Sequence, residues 1–152
     1  MIKIIIFKYS HENGCSTRFW YTDSEVRAVA SSKRIFCVED NPALANLLSD
    51  LLKERGYETC GSAANADEAV AGIERTRPDM VLVDIMLQGS NGGIAVGTYL
   101  ANRTDIPFIY MTGLDTPDIL KAARRTLPDG FLRKPFDDRQ LTAAIEMAQR
   151  VG

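Results

Sequence analysis

The sequence has little cysteine and histidine, no long apolar run and no excess of either charge. Its 152 residues include three cysteines and one histidine, and the formal net charge is −2. An odd number of cysteines without a CxxC pair argues against a disulfide framework and favours the reducing cytoplasm. A net charge near zero gives no reason to expect nucleic-acid binding. The apolar start, MIKIIIF, is far shorter than the roughly 20 residues that span a bilayer, so we expect no membrane segment.

The overall composition is typical of one globular domain. Apolar residues make up 45% of the chain and charged residues 25%, which is ordinary for soluble proteins, and the length suits one sizeable core. Residues 1–32 show no sustained helical or strand period, and we predict an N-terminal arm there, followed by a regular domain over residues 33–152. Cys37 and Cys60 lie in strand-like segments, where we expect buried, unreactive thiols.

The pattern after residue 33 alternates between strand-like and helical segments. Strands are predicted at 34–38, 57–61, 80–83, 107–111 and 130–134. Helices are predicted at 41–56, from 65, at about 93–102, from 116 and from 137, with polar capping residues at Asn41, Asn65, Thr116 and Asp137. Asn91–Gly92 is predicted to form the tight turn after the third strand. Five strands alternating with five helices predict an α/β fold, a doubly wound parallel sheet covered on both faces.

Charged and polar side chains stand at the carboxyl ends of four of these strands. Glu39 and Asp40 follow the first, Asp84 follows the third and Thr112 the fourth, and Lys134 ends the fifth. Because ligands bind beyond the carboxyl ends of parallel strands, we expect these side chains to converge. Three carboxylates at close range repel one another, and an all-oxygen set is suited to Mg²⁺. With a lysine and a threonine beside it, such a site could hold a phosphoryl group against Asp84, the predicted nucleophile.

The motifs VEDN, LVDIML, YMTG and RKPF, in this order, resemble the receiver domain of two-component response regulators over residues 34–149. The resemblance implies a flavodoxin-like fold with strand order 2-1-3-4-5. It implies that Asp84 accepts a phosphoryl group from a histidine of a sensor histidine kinase or a histidine phosphotransfer protein. It also implies that Asp84, Asp40, the backbone carbonyl of Met86 and, through water, Glu39 bind Mg²⁺.

The resemblance further implies a conformational switch. Thr112 and Lys134 would each bond a phosphoryl oxygen, and the family's aromatic switch position falls on Phe131. Movement of Thr112 would let the Phe131 ring turn inward and change the surface of the fourth helix, fifth strand and fifth helix. Because little sequence follows the fifth helix, we expect a stand-alone phosphorelay receiver that acts on an unknown downstream protein. We expect no enzymatic activity beyond phosphoryl transfer to its own aspartate.

Other functions are alternatives to the receiver interpretation, and the sequence departs from the family pattern in the loop after the third strand. A pseudo-receiver that never takes phosphate is one alternative, and a Mg²⁺-dependent aspartyl phosphatase is another, although Met86 stands where such enzymes carry a second acid. A dinucleotide-binding fold would need GxGxxG after the first strand, and VEDNPALAN contains no glycine. Phe131 could equally be a core residue. The departure is Gln88, which stands where the family often has proline.

Overall fold

The computed structural model describes residues 32–113 and 116–151. The N-terminal arm predicted for residues 1–32 lies outside the described residues apart from Ser32, so the arm and its boundary with the following domain stay predictions.

Five strands alternate with five helices, as the sequence predicts. The strands are β1 (Arg34–Val38), β2 (Glu58–Ala63), β3 (Met80–Asp84), β4 (Phe108–Thr112) and β5 (Gly130–Arg133). The helices are α1 (Pro42–Glu54), α2 (Ala66–Thr76), α3 (Gly92–Arg103), α4 (Pro117–Arg124) and α5 (Asp138–Val151). Each predicted element is present, with ends that differ by a residue or two.

The sheet is parallel and has the order β2-β1-β3-β4-β5. This order confirms the flavodoxin-like, doubly wound fold. The register aligns the strand ends, with Val38 opposite Val83, Asp84 opposite Met111, and Thr112 opposite Arg133. The residues that close β1, β3, β4 and β5 therefore lie side by side along one edge of the sheet.

The core consists of two apolar layers, one on each face of the sheet. Alternate residues of β1 and β3 point to opposite layers: Phe36 and Val81 to one, Ile35 and Leu82 to the other. Because both faces are covered, β3 and β4 are buried along their whole length, which explains their continuous apolar sequences. In this part of the chain no helix combines the length and the apolar composition that crossing a bilayer requires.

The two strand cysteines differ in burial. Cys37 is buried in the centre of the sheet, which confirms the expectation, and burial raises the pKa of its thiol to about 12. Cys60 is only partly buried, so the expectation was wrong there. It lies on β2, an edge strand, where the pairing passes from Thr59 to Gly61 and leaves Cys60 without a partner residue in β1. A bulge of this kind is not visible in the sequence.

Side chains cap the helices at the positions predicted from the sequence. The Asn41 carboxamide accepts the N–H groups of Ala43 and Leu44 at the start of α1, and Asn65 and Thr116 act in the same way at α2 and α4. At α5 the side chains of Asp137 and Gln140 each accept the other residue's backbone N–H, which is a capping box. Because Asn41 caps α1, the two preceding acids are not needed for that purpose.

The loop after β3 contains the one turn that the sequence placed wrongly. The tight turn is Gln88–Gly89, not Asn91–Gly92, since Leu87 and Ser90 exchange backbone hydrogen bonds of 2.9 Å across it. Both central residues have positive φ, 51° for Gln88 and 71° for Gly89, as a type I′ turn requires. Asn91 instead directly precedes α3. Asn–Gly is the stronger turn signal in a sequence, but here the helix begins at that pair.

Candidate functional site

Three acidic residues predicted to meet do lie together at the carboxyl edge of the sheet. Carboxylate oxygens of Glu39, Asp40 and Asp84 lie within 4.8 Å of one another. Glu39 is 4% exposed and Asp84 7%, whereas Asp40 is partly exposed. Two nearly buried carboxylates at this separation from a third need compensation by nearby positive charge or hydrogen-bond donors.

Lys134 supplies the positive charge. Its Nζ donates to Glu39 Oε2 at 2.9 Å and to Asp84 Oδ2 at 2.7 Å. Its backbone N–H donates to the carbonyl of Thr112 at 2.7 Å, which continues the β4–β5 pairing and places the lysine at the strand end. The peptide bond from Lys134 to Pro135 is cis. Lys134 therefore joins the acids of β1 and β3 from the far side of β4.

The pKa values follow from burial and from these bonds. Burial raises the pKa of Glu39; the bonds from Lys134 and from the Asn41 N–H oppose the rise, and the charge of Asp84 adds to it. Burial alone would lower the pKa of Lys134, but its hydrogen bonds to Asp84 and Glu39 outweigh burial and raise that pKa above its ordinary value. The lysine is thus positively charged throughout the neutral range.

Each carboxylate also accepts one backbone N–H group. Asn41 donates to Glu39 Oε1 at 3.0 Å, and Met86 donates to Asp84 Oδ1 at 3.1 Å. Gln88 donates to Asp40 Oδ2 at 2.8 Å. The first two bonds are local, whereas the third joins the loop after β1 to the loop after β3.

The donor set fits a hard divalent cation. The three carboxylates offer one oxygen each within a common sphere, and with Lys134 counted the group still carries two negative charges. Oxygen ligands with that net charge suit Mg²⁺. Met86 lies two residues after the end of β3 and is partly buried, and its backbone carbonyl stays a predicted ligand. The structure thus brings together the acids expected from the sequence, and a cation would relieve their repulsion.

The two predicted switch residues occupy neighbouring strands. Thr112 ends β4 and is buried. Phe131 on β5 is 38% exposed, so it is not a core residue. Its ring lies against that of Tyr110, with the centroids 5.7 Å apart. A partly exposed aromatic ring of this kind is compatible with the predicted switch position.

Tyr110 is a site-related residue that the sequence analysis did not single out. It is fully buried, and its hydroxyl shares a 2.9 Å hydrogen bond with Thr126 Oγ1, which in turn donates to the Ala123 carbonyl. Tyr110 thereby links β4 to the end of α4, beneath Phe131. A signal was present in the sequence, because a tyrosine within a doubly buried strand needs a polar partner.

An apolar groove lies next to the charged site. It has a volume of about 350 Å³ and lies between α1 and the residues after β5; its lining residues are Leu44, Leu47, Leu48, Leu51, Lys134, Pro135 and Phe136. Leu47, which lines the groove, is 54% exposed. The groove therefore offers apolar contact area close to Asp84.

Comparison with known proteins identifies the family. The family model described as response regulator receiver domain matches residues 35–146. The transcriptional regulatory protein PdtaR of Mycobacterium tuberculosis is 31% identical over 119 residues, which cover 78% of this chain and 58% of that protein. The DNA-binding response regulator MtrA of Mycolicibacterium smegmatis is 32% identical over 119 residues, covering 78% of this chain and 51% of MtrA. The chain thus spans little more than half the length of these relatives.

A solved structure supports the same assignment. The signal receiver domain of a modulated diguanylate cyclase from Desulfovibrio desulfuricans G20 has a TM-score of 0.74 and 34% sequence identity, and the match covers 80% of this chain and 96% of that one. The family-model match over residues 35–146 contains all the residues of the acidic edge described above. This chain therefore belongs to the response regulator receiver domain family of two-component signalling proteins.

Proposed function

We propose that the chain is a phosphorylation-dependent signalling switch and that Asp84 is its phosphoryl acceptor. The observation that carries the proposal is the contact of the Lys134 ammonium with both Asp84 and Glu39, at 2.7 and 2.9 Å, beside the third carboxylate of Asp40. A buried aspartate next to a fixed cation and a cluster of metal-binding oxygens is suited to receiving a phosphoryl group.

The transfer uses the Asp84 carboxylate as nucleophile. One of its oxygens attacks the phosphorus of a phosphohistidine, the P–N bond breaks as the P–O bond forms, and the leaving imidazole nitrogen keeps its electron pair and takes up a proton. Lys134 donates to a phosphoryl oxygen of the acyl phosphate. When bound by Asp40, Asp84, the Met86 carbonyl and, through water, Glu39, Mg²⁺ supplies the charge neutralisation that lets a dianionic group approach three carboxylates.

The switch uses Thr112 and Phe131. The hydroxyl of Thr112 bonds a phosphoryl oxygen and leaves space that the Phe131 ring enters. The partial exposure of the Phe131 ring and its contact with the buried ring of Tyr110 support this. The face formed by α4, β5 and α5 changes as a result and binds the downstream protein. New charge-assisted bonds at the phosphoryl group bias this two-state equilibrium.

The partner that supplies the phosphoryl group is a sensor histidine kinase or a histidine phosphotransfer protein in the cytoplasm. Receiver domains work with such kinases, and the apolar groove along α1 supports docking of a partner helix here. Lys134 lines the groove and also bonds to Asp84, so a helix lying in the groove would bring its histidine near Asp84. We propose no contact with nucleic acid or with a membrane.

The first test is phosphorylation by a small phosphodonor in the presence of Mg²⁺, followed by intact-mass measurement. The wild type gains one phosphoryl mass, Asp84→Asn gains none, and Asp105→Asn, which removes an exposed carboxylate in the loop after α3, behaves as wild type. If the wild type binds Mg²⁺ but gains no mass, the chain is a pseudo-receiver. Sustained release of phosphate from a generic phosphomonoester would instead identify an aspartyl phosphatase.

The second test addresses the switch. Beryllofluoride with Mg²⁺ mimics the acyl phosphate, and it should shift the amide resonances of Thr112 and Phe131 together with those of α4. Asp84→Asn serves as the control that cannot form the adduct. Unchanged resonances around Phe131 in a protein that has bound beryllofluoride would contradict the switch.

A further inference from the structure

The carboxylate of Asp40 is held by a backbone group of a distant loop. The N–H of Gln88 donates to Asp40 Oδ2 at 2.8 Å across a sequence separation of 48 residues. Lys134 pairs with Glu39 and Asp84, and within the described residues no ion pair involves Asp40. The Gln88 amide is therefore the donor that fixes this acid in the described part of the chain.

The bond depends on the unusual backbone of the turn after β3. Gln88 is a non-glycine residue with a φ of 51°, a conformation that L side chains rarely adopt. The Leu87–Ser90 hydrogen bonds enforce it and leave the Gln88 N–H directed to Asp40. Proline, which the family often has here, could neither adopt this φ nor donate a hydrogen bond. The contact is thus a property of this chain that follows from its departure at position 88.

We propose that the Gln88 backbone N–H is a positioning group for Mg²⁺ binding. By occupying Oδ2 it fixes the orientation of the Asp40 carboxylate before the cation arrives, and it remains bonded while Asp40 serves as a ligand. The inference rests on the proposed function, because it takes Asp40 to be a metal ligand. It adds that the loop after β3, which contains Gln88, orients the Asp40 carboxylate.

The physical basis is preorganisation. An aspartate in a loop loses rotamer freedom when it binds a metal, and a hydrogen bond that has already restricted it reduces that cost. Groups that orient metal ligands typically change metal affinity by about 10- to 100-fold when removed. Loss of the Gln88 donor should therefore weaken Mg²⁺ binding by at least about tenfold, with the three carboxylates intact.

The main experiment replaces the amide of residue 88 by an ester in the full-length protein, using the α-hydroxy analogue of glutamine. This change removes the N–H and retains the side chain and a trans linkage. Mg²⁺ dissociation constants are measured by isothermal titration calorimetry for the wild type, this ester and a second ester made at Gly89. The Gly89 ester is the matched control because it carries the same chemical change in the same turn, and the Gly89 N–H donates no hydrogen bond within the described residues, so it should bind Mg²⁺ as the wild type does.

A second measurement uses the unaltered protein, so it does not depend on folding of the ester variant. Through-hydrogen-bond scalar coupling between the Gln88 amide nitrogen and the Asp40 carboxyl carbon reports the contact directly by NMR. The coupling should be present without Mg²⁺ and persist at saturation. Its absence in either state would overturn the proposal, since the amide would not then be holding the ligand.

The outcomes separate this inference from the proposed function. Weaker Mg²⁺ binding by the residue-88 ester and unchanged binding by the Gly89 ester support the positioning role. Equal affinity in the residue-88 ester and the wild type, or an equal loss in both esters, overturns the inference and leaves the proposed function standing. Failure of the wild type to bind Mg²⁺ at millimolar concentration would overturn both.

Discussion

Asp40→Asn should stabilise the protein in the absence of Mg²⁺. The substitution is nearly isosteric, and the remaining amide oxygen can still accept the Gln88 N–H. In the wild type, Asp40 lies within 4.8 Å of the carboxylates of Glu39 and Asp84, and Lys134 bonds to those two acids. Neutralising Asp40 removes two repulsions and one weaker attraction.

The magnitude follows from Coulomb's law. Two unit charges 4.8 Å apart interact by roughly 3.5 kcal/mol at an effective dielectric constant of about 20. Two carboxylates repel Asp40 and one ammonium attracts it, so the net effect is about that of one like charge. The partial exposure of Asp40 lowers this repulsion further. We expect the free energy of unfolding to rise by about 1–3 kcal/mol in Asp40→Asn. Asp105→Asn, which removes an exposed acid elsewhere, should stay within about 0.5 kcal/mol of wild type.

The assay is urea unfolding followed by circular dichroism, in EDTA and in Mg²⁺. A ligand that binds only the folded state at a hundred times its Kd stabilises it by about 2.7 kcal/mol, so the wild type should gain this in Mg²⁺ while Asp40→Asn gains little. In Mg²⁺ the free energies of unfolding of the wild type and Asp40→Asn should therefore become similar, or the wild type should become the more stable protein. If Asp40→Asn is no more stable than wild type in EDTA, or if Mg²⁺ stabilises both proteins equally, the electrostatic account of the acidic edge is refuted.

Three further predictions concern groups beneath the site. The pKa of Cys37 is about 12 in the folded state against 9.0 in the unfolded state, so the unfolded chain loses this proton first. The free energy of unfolding should therefore fall as pH rises from 9 to 12, by up to roughly 4 kcal/mol. Urea unfolding across this pH range measures the fall, and Cys37→Ala, which lacks the thiol, is the control. Tyr110→Phe removes the hydroxyl bonded to Thr126 and should lower the free energy of unfolding by about 1 kcal/mol. Gly97→Ala should lower the free energy of unfolding by about 1–3 kcal/mol, because the added Cβ would lie 1.8 Å from the Tyr110 hydroxyl oxygen. Tyr110→Phe removes that oxygen and should reduce the loss caused by Gly97→Ala. Strictly additive effects of the two substitutions would contradict the steric overlap.

The acidic edge could be predicted from the sequence because topology determines it. Strands in a parallel sheet present their carboxyl ends at one edge, so Asp84 and Lys134 had to approach each other once the alternation of strands and helices was recognised. The helix starts were predictable for a similar reason, since capping depends on residues close in sequence, as at Asn41. Long-range proximity and local capping each follow a simple rule.

Other features depend on contacts that no such rule specifies. The bulge at Cys60 reflects how β2 pairs with β1, and the positive φ of Gln88 reflects a turn closed by its neighbours. The outward position of Phe131 could not be separated from a core position either, because a strand residue near the sheet edge is apolar in both cases. Packing decides such features, and it becomes visible only in three dimensions.

The bonding of Lys134 would let one side chain act both before and after the proposed phosphorylation of Asp84. Its ammonium has three N–H donors, and among the described residues two of them are directed to Glu39 and Asp84. One donor therefore remains to meet a phosphoryl oxygen while the bond that steadies the nucleophile is still in place. Arginine would carry the same charge but has a rigid planar arrangement of donors that suits one carboxylate at a time. A flexible point charge between two acids is thus the appropriate group here, because it compensates the buried carboxylates at rest and can turn to a third anion without leaving them unpaired.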